Sequence, residues 1–280
     1  MADNILVTGG TGKTGRRVID LLRQRGVPAL AATRSPQTPG QVPFDWTDPG
    51  SFEGALEGVR AVYMVAPTGV AEPLGAMQPF IDRALTAGVD RLVLLSSSML
   101  EEGGPLMGAV HAYLRAEAPS WTVLRPSWFM QNFSEHQHVE TIRREGRIYS
   151  ATEDGRVPFI DAADIAAVAV EALVDPEFPN GDLILTGPET LSYDDVARLI
   201  SAVSDRPVSH HRLSTEQLAN RFTTIGIPGE FARALAEMDA AIAIGAEDRV
   251  TEGVAAVTKR QPTTFAAFVQ DNAKHWIVGD

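Results

Sequence analysis

Thr8-Gly9-Gly10-Thr11-Gly12-Lys13-Thr14-Gly15 places three glycines, Gly9, Gly12 and Gly15, three residues apart near the start of the chain. Gly9 can turn the backbone sharply. Gly12 has no Cβ to block a pyrophosphate, and Gly15 permits close packing of a helix on a strand. The opening amides and dipole of a helix behind such a turn meet negative charge. A Walker A loop would need four residues between its glycines and a Gly-Lys-Ser/Thr ending, and neither is present. Glycines so closely spaced can also mark an ordinary loop. Here, however, the apolar run Asn4 to Thr8 precedes them, and Lys13 to Arg25 follows with helical spacing at Val18, Leu21 and Leu22. Strand, turn and helix in that order predict a dinucleotide site with contacts from Gly9, Thr11, Gly12, Lys13, Thr14 and Gly15.

The next strand chooses between cofactors. An acid at its end would accept hydrogen bonds from a ribose 2′-hydroxyl and repel a 2′-phosphate. The segment instead ends Thr33-Arg34-Ser35. Arg34 offers a guanidinium fork suited to phosphate, with Lys13 as a second cation, so NADP(H) is expected.

Positioning these residues requires alternating elements. Strands are predicted at Pro28 to Thr33, Val42 to Phe44, Ala61 to Ala66 and Arg91 to Leu95, with helices between them at Asp48 to Leu56 and Pro73 to Ala87. Such alternation buries a parallel sheet between helical layers. Further on, the pattern predicts a helix at Ala109 to Glu117, a strand at Trp121 to Leu124 and a helix starting near Trp128. A helix at Ala162 to Leu173, a strand at Leu183 to Leu185 and a helix at Tyr193 to Val203 opened by Ser192 follow, with more helices towards the carboxyl end. The expected fold is α/β: a Rossmann-like, doubly wound parallel sheet over residues 1–150, with a smaller, mainly helical lobe over 151–280. The two are interleaved without a clean linker, and the lobe is expected over the sheet's carboxyl edge.

Bulk properties narrow the function. The 280 residues are 44% hydrophobic and 21% charged, the net charge is −12, and there is no cysteine. The acidic balance argues against nucleic acid as a partner. The missing cysteine excludes disulfides and thiolate chemistry. No stretch reaches the roughly 18 apolar residues of a membrane span, and the amino terminus lacks an export signal. The cytoplasm is the expected address. A homodimer is entertained, although no self-complementary patch is evident in the sequence.

Taken in order, Val7 to Val18, Leu94-Leu95-Ser96-Ser97-Ser98, Trp121 to Phe133, Val157 to Ala166 and Leu185-Thr186-Gly187-Pro188-Glu189 resemble the NmrA-like group of atypical short-chain dehydrogenases/reductases. Within that group the pattern is similar to ergot-alkaloid (agroclavine) dehydrogenase-like proteins. The resemblance implies an NADP(H)-dependent oxidoreductase or tailoring enzyme for a small aromatic, quinone or iminium-type metabolite, with secondary metabolism as its setting. It also leaves a second class open: a non-catalytic NAD(P) sensor that acts through a protein partner. The strand ends at Ser35, Ala66, Pro67, Ser96 and Pro126 join the expected cofactor contacts.

The wider superfamily acts through a Ser and a Tyr-x-x-x-Lys pair, and this chain departs from it. Tyr113 is followed four residues later by Glu117, and no other Tyr-x-x-x-Lys occurs. Ser97 and Ser98 lie where the family's catalytic serine follows the fifth strand. His111 falls where related isoflavone-type reductases carry a basic lysine. These three are the catalytic candidates, and a structural role for His111 stands beside the catalytic one. Trp128, Phe129, Met130 and Phe133 offer an apolar lining for a substrate, or simply core.

Other constellations carry less. His136 and His138 sit at i and i+2, which diverge on a helix, so no metal site is expected. His210 and His211 read as surface residues on an edge strand. No Gly-x-Ser-x-Gly elbow supports Ser-His-Asp hydrolysis.

Overall fold

The computed structural model describes residues 3–70, 72–135, 138–204 and 206–277. Its amino-terminal elements follow the expected rhythm. They run β1 (Asn4–Val7), α1 (Lys13–Gln24), β2 (Ala29–Thr33), β3 (Gln41–Pro43), α2 (Phe52–Leu56), β4 (Val59–Met64), α3 (Pro73–Thr86), β5 (Arg91–Leu95), α4 (Met107–Glu117) and β6 (Trp121–Pro126). There follow α5 (Val139–Glu145), β7 (Arg147–Ser150), β8 (Arg156–Val157), α6 (Ala162–Val174), β9 (Gly181–Leu185), β10 (Leu191–Ser192), α7 (Tyr193–Ser201) and β11 (Ser209–Arg212). The chain closes with α8 (Thr215–Thr224), α9 (Gly229–Ala243), α10 (Gly253–Thr258) and α11 (Phe265–Asn272).

Seven parallel strands form one sheet in the order β3-β2-β1-β4-β5-β6-β9. The chain reverses direction across the sheet between β1 and β4, so the carboxyl ends of those strands open a crevice. Side chains alternate across the pleat. Leu6, Val62, Met64, Leu92, Leu94 and Val123 pack with Met77, Phe80, Val110 and Leu114 of α3 and α4. Helices α1 and α6 pack on each other. Ten of the thirteen residues of α6 are buried; five of those ten are alanines, and Asp164 is the one charged residue among them.

The chain divides into two compact units. The first is 1–126, 162–185 and 253–260, and contains the whole sheet; the second is 127–161, 186–252 and 261–280. The second holds α5, α7, α8, α9 and α11 with two small two-stranded sheets, β10-β8 and β11-β7. Its main core gathers Phe133, Phe159, Tyr193, Phe265, Phe268 and Trp276. Ser192 caps α7 and exchanges bonds with Asp195 in a capping box, as its position in the sequence suggested. The helix expected near Trp128 is not there. Trp128 and Phe129 are extended, because Ile160 donates to the Trp128 carbonyl and accepts from Met130. A 3₁₀ turn follows at Met130–Asn132, and α5 begins only at Val139. Among the described residues no helix is long and apolar enough to cross a membrane.

Asp239 of α9 is 6% exposed and accepts a hydrogen bond from the Ala151 amide. Burial raises its pKa to about 7, against the opposing pull of that bond. The folded state therefore favours the protonated acid. The stability this group contributes is full below the ordinary carboxylate range and is lost as pH rises through about 7. Asp239→Asn should remove that loss: from pH 4 to pH 8 the variant gains on the parent by up to a few kcal/mol, at about 1.4 kcal/mol per unit. Urea midpoints across pH measure it, and parallel pH profiles for the two proteins would contradict the assignment.

Candidate cofactor site

Gly9 ends β1 with φ +61°, and its carbonyl oxygen accepts the Gly12 amide at 2.8 Å. A Cβ on Gly15 would lie 2.2 Å from that same oxygen, so only glycine lets α1 begin there. The tight approach at Gly15 is thus to the turn itself. Gly10 has an equally strict role that the motif did not reveal: a Cβ there would meet the Ala31 Cβ of β2 at 2.7 Å. Thr8 is fully buried, and its Oγ1 accepts the Val65 amide at 2.7 Å, pinning the end of β1 to the end of β4. Burial pushes the Tyr63 phenol far up, so it stays neutral. Gly12 is the N-cap of α1. No side chain caps this helix, and its first turn contains no acid, so it presents a positive end towards the crevice.

One cleft of about 530 Å³ gathers Gly9, Thr11, Gly12, Arg34, Ala66 and Pro67, all singled out from the sequence. Lys13, Thr14 and Gly15 form the first turn of α1 behind it. Ser35 is exposed, its amide on the Thr33 hydroxyl at 3.4 Å, and is not among the lining residues. Phe44, Asp45, Trp46 and Thr47 also line the cleft, and the sequence reading assigned them no role. Asp45 Oδ1 accepts from the Thr47 amide at 2.9 Å and from its hydroxyl at 2.8 Å. Those bonds, with a smaller contribution from Arg34, hold the carboxyl below its ordinary range. The available signal was an acid two residues before a threonine, directly past the third strand. Trp46 stands edge-on to Phe44 and Phe80, with centroids 4.9 and 5.3 Å apart.

The serines follow β5. The Ser96 amide donates to Leu124 at 2.7 Å, while its buried hydroxyl oxygen has no hydrogen-bond partner. Ser97 is half-buried, and its hydroxyl accepts from Met99 at 3.4 Å. Ser98 is 1% exposed, its amide bonded to Pro126, the last residue of β6. Arg125 braces this segment. Its guanidinium, 5% exposed, donates to the Ser98 carbonyl at 3.1 Å, to Glu101 at 2.6 Å and to Asp182 at 2.7 Å.

His111 is 2% exposed and packs on the Trp121 ring at 5.4 Å, with Glu102 4.0 Å from its Nε2. Neither ring nitrogen has a hydrogen-bond partner, and burial lowers the imidazole pKa. It does not line the cleft that holds Arg34. Tyr113 points elsewhere, its hydroxyl donating to Asp82 of α3 at 2.5 Å.

In the second unit, Trp128 and Phe129 are half-buried, whereas Phe133 is enclosed by Phe159, Tyr193, Phe265 and His138. His210, expected at the surface, is buried. The reason is local: its Nε2 lies 2.8 Å from Ser150 Oγ and its Nδ1 lies 3.6 Å from Asp194, while His211 on the opposite face is exposed. The order Ser150–His210–Asp194 mimics a hydrolytic relay. Yet Ser150 is 1% exposed and its hydroxyl is shared with Thr152 at 2.7 Å, so no carbonyl can reach it. Among the described residues no group of three or more His, Asp or Glu is placed to hold a metal; His136 lies outside them.

A parallel sheet in this strand order, with a glycine turn between β1 and α1, defines a Rossmann-type fold of the atypical short-chain dehydrogenase/reductase kind. Residues 1–269 match the NmrA-like family, and the chain belongs to it. It is 42% identical over 293 residues to agroclavine dehydrogenase of Claviceps fusiformis, covering 99% of both chains. It is also 42% identical over 275 residues to the oxidoreductase YesF of Bacillus subtilis, covering 97% and 96%. Among solved structures it resembles the NADPH complex of the quinone oxidoreductase QOR2 of Escherichia coli. The TM-score is 0.79 with 23% identity over 95% of this chain and 99% of that one, a likeness that concerns the fold. With such relatives along its full length, the chain is an oxidoreductase of the atypical short-chain type.

The enclosure of Phe133 separates core from pocket. Phe133→Ala should cost about 3–5 kcal/mol of unfolding free energy, the usual penalty for emptying an aromatic site in a core. Denaturant unfolding measures it. Unchanged stability combined with weakened substrate binding would place Phe133 in a pocket instead.

Proposed function

We propose that the chain is an NADP(H)-dependent reductase acting on a small aromatic, quinone or iminium-type molecule. The observation that carries this reading is the cleft in which the uncapped start of α1 and the Arg34 guanidinium converge. Other features fit a dinucleotide. Gly12 lines the cleft beside the turn, and the Ser96 hydroxyl lacks a partner at the next strand end but one from β1. In this reading the α1 amides hold the pyrophosphate, Arg34 with Lys13 holds the adenosine 2′-phosphate, and Ala66 and Pro67 flank the nucleotide. A reduced nicotinamide bound there supplies a hydride.

The chain's own residues supply little acid or base. His111 keeps α4 on the sheet, and Tyr113 is committed to Asp82. The reading therefore favours acceptors whose electron deficiency is already in place. An iminium carbon carries the positive charge that a hydride neutralises, and a quinone passes charge to its ring and takes its proton from water. Ser97 and Ser98, held by Arg125 and Pro126, fix the strand end beside which such a substrate would lie.

Calorimetric titration tests the cofactor part. Arg34→Ala should weaken NADPH at least about tenfold, as expected for a lost hydrogen bond to charge. NADH should change less than about twofold, since it offers Arg34 no phosphate. An unchanged NADPH affinity removes Arg34 from the site. Nicotinamide absorbance followed with quinones, enones and iminium compounds then tests turnover: consumption supports the reductase. Binding of both redox forms without consumption would favour the sensor instead.

A further inference from the structure

We propose that Asp45 restrains the preference for a 2′-phosphorylated cofactor, so that the cleft accepts NADH as well as NADPH. This rests on the reading of the cleft as the adenosine end of a dinucleotide site, and it concerns what selects between the two forms there.

The acid missing from the end of β2 is supplied by the neighbouring strand. Strands β2 and β3 are parallel, with Thr33 opposite Pro43, and the Phe44 amide donates to the Thr33 carbonyl at 3.0 Å. That register carries Arg34 and Asp45, each just past its strand, to one edge of the sheet, and both line the same cleft. Neither charge is buried deeply, so each acts through solvent on whatever lies between them. Asp45 is not free to swing away, because Thr47 holds Oδ1 through both its amide and its hydroxyl. The same bonds, with Arg34 nearby, keep the carboxyl ionised throughout the neutral range.

Two consequences follow for a ligand. A 2′-phosphate drawn to Arg34 enters the field of a fixed carboxylate, and the guanidinium it meets is already partly compensated. A ribose 2′-hydroxyl meets no such repulsion, and the carboxylate can accept a hydrogen bond from it, the role usually given to an acid at the end of the second strand. Arg34 alone would make the cleft strongly selective; Arg34 with Asp45 makes it tolerant of both.

Asp45→Asn tests this, because asparagine keeps the oxygen that accepts from Thr47 and removes only the charge. NADPH, NADH, 2′,5′-ADP and 5′-ADP are titrated by calorimetry into the parent and the variant at low and high salt. The expected result is a rise of about fivefold in the NADPH-to-NADH affinity ratio, repeated with the two ADP fragments and smaller at high salt. Thr47→Ala, which removes one of the two bonds holding the carboxylate without neutralising it, should move the ratio in the same direction by less. A parent that binds both dinucleotides with a ratio unchanged in Asp45→Asn would overturn the proposal while leaving the cofactor site standing. An equal loss for NADPH and NADH would overturn it too, by assigning Asp45 to a part of the nucleotide that the two share. Failure of the parent to bind any of the four ligands would instead refute the adenosine-site reading, and the proposal with it.

Discussion

The carbonyl oxygen of Gly9 is the point about which the site is built. It accepts the Gly12 amide, and it occupies the space that any side chain at residue 15 would need. With both conditions met, α1 starts within a turn of the end of β1. A looser connection would move the helix, and the positive potential of its first turn, away from the crevice. The neighbouring constraints serve the same end. Thr8 ties β1 to β4, Gly10 lies directly on Ala31, and Thr14 is buried beside the neutral phenol of Tyr63. Packing from three strands, β1, β2 and β4, thus converges on the turn.

The carboxyl ends of β5 and β6 are held by a different device. Arg125 is a buried cation with two carboxylate partners, Glu101 and Asp182, and a third bond to the Ser98 carbonyl. A buried guanidinium left without such partners would be costly, so the three contacts are coupled: each holds its place because the others satisfy the charge. The Ser98 carbonyl is held in this way from β6. Helix α4, which carries the tyrosine and lysine of the wider superfamily, here points His111 inward onto Trp121 and Tyr113 outward to Asp82.

Much of this could be read from the residues. Strands of a covered parallel sheet are continuous apolar runs, which is why Arg91–Leu95 was bounded correctly and β2, β4 and β6 to within a few residues. Ser192 before an acidic first turn gave the start of α7. What escaped was whatever depends on strands meeting in space. Asp45 and Arg34 are eleven residues apart and unrelated until β2 pairs with β3. His210 looked exposed because a histidine on a short strand carries no sign of the serine that will face it. The sequence implied two interleaved lobes divided near residue 150, without the points at which the chain crosses between them. The observed units exchange the chain several times, since β9 must pair with β6, and α6 and α10 must accompany it.

Charge gives the last constraint. The chain carries a net charge of −12, so at long range it repels the phosphates that the cleft is proposed to hold. At physiological ionic strength that field decays within about 8 Å, whereas helix amides and a guanidinium act over hydrogen-bond distances. On the proposed reading recognition is short-ranged, made by Gly12, the first turn of α1 and Arg34 after the ligand has arrived, with little electrostatic steering. In such a site, a single fixed carboxylate inside the cleft has more influence than the many acids spread over the surface. The surface acids lie beyond the screening length from the ligand; Asp45, beside Arg34, lies within it.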